Sequence, residues 1–174
     1  MTIIKFPNKN NSCCSGSRGR QARLTLPAAP RPFHRIRFDP IVSQSRAVPP
    51  GGALNWLKEN LQQGAKIEVV DIDGPGDPLC EIDCTMETLN LVRREYPDIG
   101  ISVTTLGVDA GKHAKPLAEA GVTEVALLVD AVEHKVAGKL YAWIRPGRKT
   151  IPLAQATKML MGEQQLAVKA FKKV

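Results

Sequence analysis

Residues 66–79 read KIEVVDIDGPGDPL. The first eight, Lys66–Asp73, form a β-rich apolar run, and the remainder is a turn with glycines at 74 and 76 and prolines at 75 and 78. Near-continuous hydrophobicity, in place of strict alternation, predicts a parallel strand covered on both faces. Working outward, Ile99–Thr105 and Glu124–Asp130 (EVALLVD) repeat the pattern, and Arg23–Leu26 (RLTL) is a short candidate for a first strand.

Helical patterns separate these runs. In GGALNWLKENLQQG, Leu54, Leu57 and Leu61 fall at i, i+3 and i+7, with Gly64 placed to end the helix. In DCTMETLNLVRREYPD, Asp83 or Thr85 is a candidate cap, Met86, Leu89 and Val92 make an apolar stripe, and Pro97 ends it. DAGKHAKPLAEAG follows, with Asp109 as a candidate cap, and a last helix over about 152–173 carries Leu153, Ala156, Leu160, Ala167 and Phe171. This rhythm predicts an α/β fold of parallel-sheet βα repeats over residues 23–174: a partial, half TIM-type barrel of about four strands, or a small open sheet. Such a sheet has two open edges, which proteins pair or cover.

The chain has 174 residues, 43% of them hydrophobic, and a net charge of +7. Residues 1–50 hold nine Lys or Arg against the single acid Asp39, so the remainder, with fifteen bases and sixteen acids, is close to neutral. Residues 1–22 read as a mobile basic leader, suited to an acidic partner, and their bias also has the look of a transit peptide. No aromatic interleaving or nucleic-acid signature supports nucleic-acid binding. The chain shows no signal-peptide pattern and no membrane-length apolar run, which predicts a soluble, cytoplasmic protein. Its four cysteines, Cys13, Cys14, Cys80 and Cys84, are too few and too poorly spaced for a disulfide scaffold.

Ligands in parallel α/β folds gather at the carboxyl ends of strands. There lies the Gly74-Pro75-Gly76-Asp77 turn, which is either a ligand cradle offering the Asp77 carboxylate or a tight βα turn capped by Asp77. Thr104–Gly107 (TTLG) offers hydroxyls, Thr105 among them, that equally serve as helix caps. Asp130 ends the fourth strand, and Tyr141 and Trp143 read as packing aromatics. Cys80 and Cys84 alone make an incomplete metal site, and His34, His113 and His134 are too dispersed for a catalytic triad.

GPGDPL, ETLNLVRREYPD, TTLG, LAEAGVTEVALLVDAV and GKLYAWIR together resemble the radical S-adenosylmethionine proteins that mature the nitrogenase iron–molybdenum cofactor, the NifB type, over roughly residues 23–174. The resemblance implies a [4Fe–4S] cluster held by three cysteines, CxxxCxxC, in the loop after RLTLPAAP, with S-adenosylmethionine on the open iron. Register through LPAAPR places those three ligands at Pro32, Ile36 and Asp39, none of them a thiol. Leu106 and Asp130 stand where the family has asparagines, the upstream Cys is followed by no histidine pair, and the chain ends where a fifth strand is expected.

Gly74, Pro75, Gly76 and Asp77 match the family turn that lies against the methionine amino group. With Thr105 and Asp130 they are the implied S-adenosylmethionine contacts, holding it weakly without iron. The expectation is a degenerate, truncated NifB-type protein without radical chemistry, serving as a binding or accessory protein in metallocluster assembly. Two alternatives stand beside it: an active radical enzyme whose cluster uses Cys80, Cys84 and Cys13/Cys14 or partner-supplied ligands, and an interaction module that homodimerises or pairs with a barrel-completing chain.

Overall fold

The structure, a computed structural model, describes residues 2–5, 22–38 and 46–174. Its strands are β1 (Thr2–Lys5), β2 (Arg23–Pro27), β3 (His34–Ile36), β4 (Val69–Asp73), β5 (Gly100–Thr105), β6 (Glu124–Leu127) and β7 (Tyr141–Ile144). Its helices are α1 (Pro50–Gln62), α2 (Ile82–Glu95), α3 (Ala110–Glu119), α4 (His134–Leu140) and α5 (Leu153–Phe171), with a 3₁₀ turn at Pro146–Arg148. The main sheet runs β1-β6-β5-β4-β2. β2, β4, β5 and β6 are parallel neighbours, and helices alternate with them as in part of a TIM-type barrel.

Alternation along β4 decides how the sheet packs. Val70 and Ile72 are fully buried, whereas Asp71 and Asp73 point to the other side. Register sets Leu26, Ile72, Val103 and Val125 in one lateral row, which joins Leu57 of α1, Leu89 and Val92 of α2 and Leu117 of α3 in one apolar core. Each such side chain contributes about 1.5–3 kcal/mol relative to exposure. The neighbouring row is Thr25, Asp71, Ser102 and Glu124. Arg23 braces it, paired with Asp71 at 3.0 Å and with Glu124. Both faces of the central strands are covered, as expected, but they differ in chemistry: one is apolar and helix-packed, and the other mixes buried Val69 and Ala126 with polar Ser102 and the ion-paired Asp71 and Glu124.

The edges also differ from expectation. β1 pairs antiparallel with β6, Ile4 opposite Val125, so the chain's own first strand closes that edge. The β2 edge carries Pro27, which has no N–H to offer a further strand, and its carbonyl accepts the Val48 N–H at 2.8 Å. A separate two-stranded antiparallel ladder joins β3 to β7 across more than a hundred residues.

Helix ends follow the sequence only in part. Pro50 opens α1, a position where its missing N–H costs nothing. Glu81 and Asp109 precede α2 and α3, and neither makes a side-chain cap bond; Thr85 donates to the Pro78 carbonyl at 2.6 Å instead. Ala156, Leu160, Gln164, Ala167 and Phe171 form the buried stripe of α5. Among the described residues, no helix is long and apolar enough to cross a membrane.

Candidate functional site

The loops at the carboxyl ends of β2, β4, β5 and β6 are tied to one another by short polar contacts. A Cβ at Gly74 would lie 2.7 Å from the Ala29 carbonyl oxygen, and one at Gly76 would collide with the Arg31 backbone. The glycines therefore let two segments of this chain lie against each other. The Ala29 N–H donates to the Asp73 carbonyl at 3.0 Å, the Gly76 N–H to the Ala29 carbonyl at 2.9 Å and the Asp77 N–H to the Arg31 carbonyl at 2.7 Å. Pro75 is exposed at the apex of the turn.

Asp77 is buried and accepts from every side. One oxygen takes the Leu79 N–H at 2.9 Å, the other the Leu106 N–H at 2.7 Å, and the Thr105 hydroxyl reaches both at 2.8 and 2.9 Å. Thr105 Oγ1 in turn accepts the Gly107 N–H at 3.1 Å. Burial pushes the Asp77 carboxyl up to about 6, held back by the donors from Leu106, Leu79 and Thr105. Asp77 and Thr105 are thus brought together as a brace between two loops. Asp73 sits at the strand end with one oxygen accepting the Gly74 N–H at 2.8 Å; burial raises its carboxyl, and Asp71 adds to the rise.

Asp130 belongs to a different contact. Its carboxylate accepts the Tyr141 hydroxyl at 2.7 Å, and the buried Tyr141 ring meets the edge of His34 at 5.3 Å. Burial, then Asp130, drives the Tyr141 phenol well above its ordinary range. The loop after β2 is pinned by β7 as well: the Arg145 N–H donates to the Phe33 carbonyl at 2.7 Å and the Arg37 N–H to the Leu140 carbonyl at 2.9 Å. Sequence reasoning missed Gln164, whose amide donates to the carbonyls of Leu106 and Leu128 at 2.9 Å each. A glutamine inside an apolar stripe was the available signal.

No family model matches the chain. It is 34% identical over 176 residues to the FeMo cofactor biosynthesis protein NifB of Chlorobaculum tepidum, covering 95% of this chain and 42% of that protein. The NifB of Klebsiella pneumoniae is 32% identical over 136 residues, covering 72% of this chain and 29% of its own length. That of Methanocaldococcus infernus is 27% identical over 162 residues, covering 86% and 53%. The chain is NifB-like. It spans about two fifths of the C. tepidum relative.

The NifB-like loop offers a poor donor set for an iron–sulfur cluster. Pro32 is exposed and has no donor atom, and Ile36 packs against the apolar core. Asp39, and with it Cys13 and Cys14, lies outside the described residues. The Cys84 thiol donates to the Ala28 carbonyl at 3.7 Å, and burial followed by Glu81 and Glu87 raises it away from the thiolate a metal needs. Among the described residues, no three His, Cys, Asp or Glu side chains are grouped to hold a metal ion. Among the described residues, Pro32, Ile36 and Cys84 do not fit the cluster.

Proposed function

We propose that this NifB-like chain takes part in FeMo cofactor biosynthesis as a binding or accessory protein, without cluster-dependent radical chemistry. One observation supports the reading: the loop after β2 is packed against Gly74, Gly76 and β7, with Pro32 and Ile36 at two of the three positions that the resemblance assigns to cluster cysteines. An iron–sulfur cluster needs thiolates, and a proline and a packed isoleucine supply none.

S-adenosylmethionine binding, on this reading, is weak. The space that Gly74 and Gly76 leave is filled by Ala29 and Arg31, and the Asp77 carboxylate is engaged by internal donors. Its partners are then the proteins that build and carry the metallocluster.

The test has two arms. Anaerobically reconstituted chain is incubated with reductant and S-adenosylmethionine, and 5′-deoxyadenosine is measured; none above the no-protein control is expected. The chain is also added to a reconstituted FeMo cofactor synthesis reaction containing a full-length NifB, where a change in cofactor yield is expected. Catalytic formation of 5′-deoxyadenosine overturns the non-radical reading, and an unchanged yield overturns the accessory role.

A further inference from the structure

The outer face of the β3–β7 ladder is a surface that the main-sheet loops do not use. Register places Arg35 opposite Trp143, while Ile36 and Tyr141 turn inward. The Arg145 guanidinium lies 4.6 Å from the Trp143 ring centroid, a cation–π contact that holds the charge over a fixed platform. Arg37 anchors its Nε on the Tyr141 carbonyl at 2.9 Å and stays exposed. Next to it, Phe38 is 80% exposed. Among the described residues, Arg35, Arg37 and Arg145 make no ion pair with a carboxylate, although Arg23, Arg31 and Lys112 all do.

We propose that this face docks a protein partner whose contact surface is rich in carboxylates. Three guanidiniums that have no acid partner among the described residues, held on or beside a strand ladder, match carboxylates in a fork geometry that lysine cannot copy. Trp143 and Phe38 supply the aromatic contact typical of binding hot spots, where arginine and tryptophan are enriched. A two-fold pairing of this face with its own copy is disfavoured by charge, since it would bring Arg35, Arg37 and Arg145 against the same three arginines. Arg145 covers one face of Trp143, which leaves a base less ring to stack on than a bare aromatic platform offers. This surface is independent of the proposed role in cofactor assembly.

The probe is poly-L-glutamate, followed by Trp143 fluorescence in a Trp56→Phe background, which leaves Trp143 as the sole tryptophan. Binding is expected to change the Trp143 emission and to weaken with salt. Arg35→Gln/Arg145→Gln is expected to weaken it about tenfold or more, the loss of one to two charge-assisted contacts. Ala142→Glu, which removes no native group and adds a carboxylate at an exposed position of β7, is expected to weaken it comparably, and Arg18→Gln/Arg20→Gln to leave it unchanged. Circular dichroism checks that each variant is folded. Equal affinity in the ladder variants, loss in the leader variant, or tighter binding of a duplex DNA of matched charge would each overturn the proposal, as would self-association of the chain through this face in sedimentation velocity.

Discussion

At the scale of single residues, Asp77 is the most informative group. A carboxylate that accepts from two backbone N–H groups and a hydroxyl is a structural brace, and its amide counterpart must turn an NH₂ toward one of those donors. Asp77→Asn should therefore cost about 1–3 kcal/mol of stability, the desolvation cost of one orphaned buried donor, read by urea denaturation. The pH dependence has a definite sign. The folded-state value, about 6, lies above the ordinary 3.8, so the native state binds the Asp77 proton more tightly than the unfolded chain. The stabilising contribution of that proton is complete below about pH 4 and is lost as pH rises through about 6. Relative to Asp77→Asn, the wild type should lose about 3 kcal/mol between those limits, because each tenfold gain in proton affinity is worth about 1.4 kcal/mol. A difference that grows with pH would contradict the buried geometry. Tyr141→Phe, which leaves the Asp130 carboxylate in solvent, should cost only about 1 kcal/mol.

At the scale of elements, glycines separate close approach from ordinary helix propensity. Gly76→Ala drives a methyl into the Arg31 backbone, and should destabilise by about 1–3 kcal/mol or more and loosen the β2 loop. Gly138, inside α4, has nothing within 4 Å of the Cβ it lacks. Gly138→Ala should raise stability by roughly 0.5–1 kcal/mol, because a helix-interior glycine carries an entropy penalty. Thermal melts of the pair check both signs. The same contrast explains what is legible in sequence. β2, β4, β5 and β6 and all the long helices follow from local hydrophobic pattern, with Leu57, Leu89 and Leu160 where periodicity puts them. β3 and β7 are not legible, since neither three nor four residues carry a pattern and their partners lie some hundred residues away. β1 is hidden in a basic segment for the same reason. Asp77 and Thr105 stand out as candidates, but which of them faces a ligand and which faces the chain is set by a contact between separate loops. Asp130 stands out for its place at a strand end, and the hydroxyl it accepts comes from β7, the strand that pattern does not reveal.

At the scale of the whole molecule, the sheet pairs four parallel strands with an antiparallel fifth, and Arg23 adds ion pairs to Asp71 and Glu124 on the face turned away from the helices. β1 contributes Ile4 to the core and shields the β6 edge. Removing residues 1–5 should lower stability by about 1.5–3 kcal/mol for the lost side chain alone and promote self-association through the uncovered edge, seen by denaturation and sedimentation velocity. On the proposed reading, a NifB-like scaffold has a well-packed loop after β2 in which Pro32 and Ile36 provide no sulfur donors. The direct measurement is iron and sulfide content, with electron paramagnetic resonance, after anaerobic reconstitution. Substoichiometric iron and no [4Fe–4S]⁺ signal on reduction are expected; one four-iron cluster per chain, lost when a cysteine is replaced by alanine, would contradict the proposed reading.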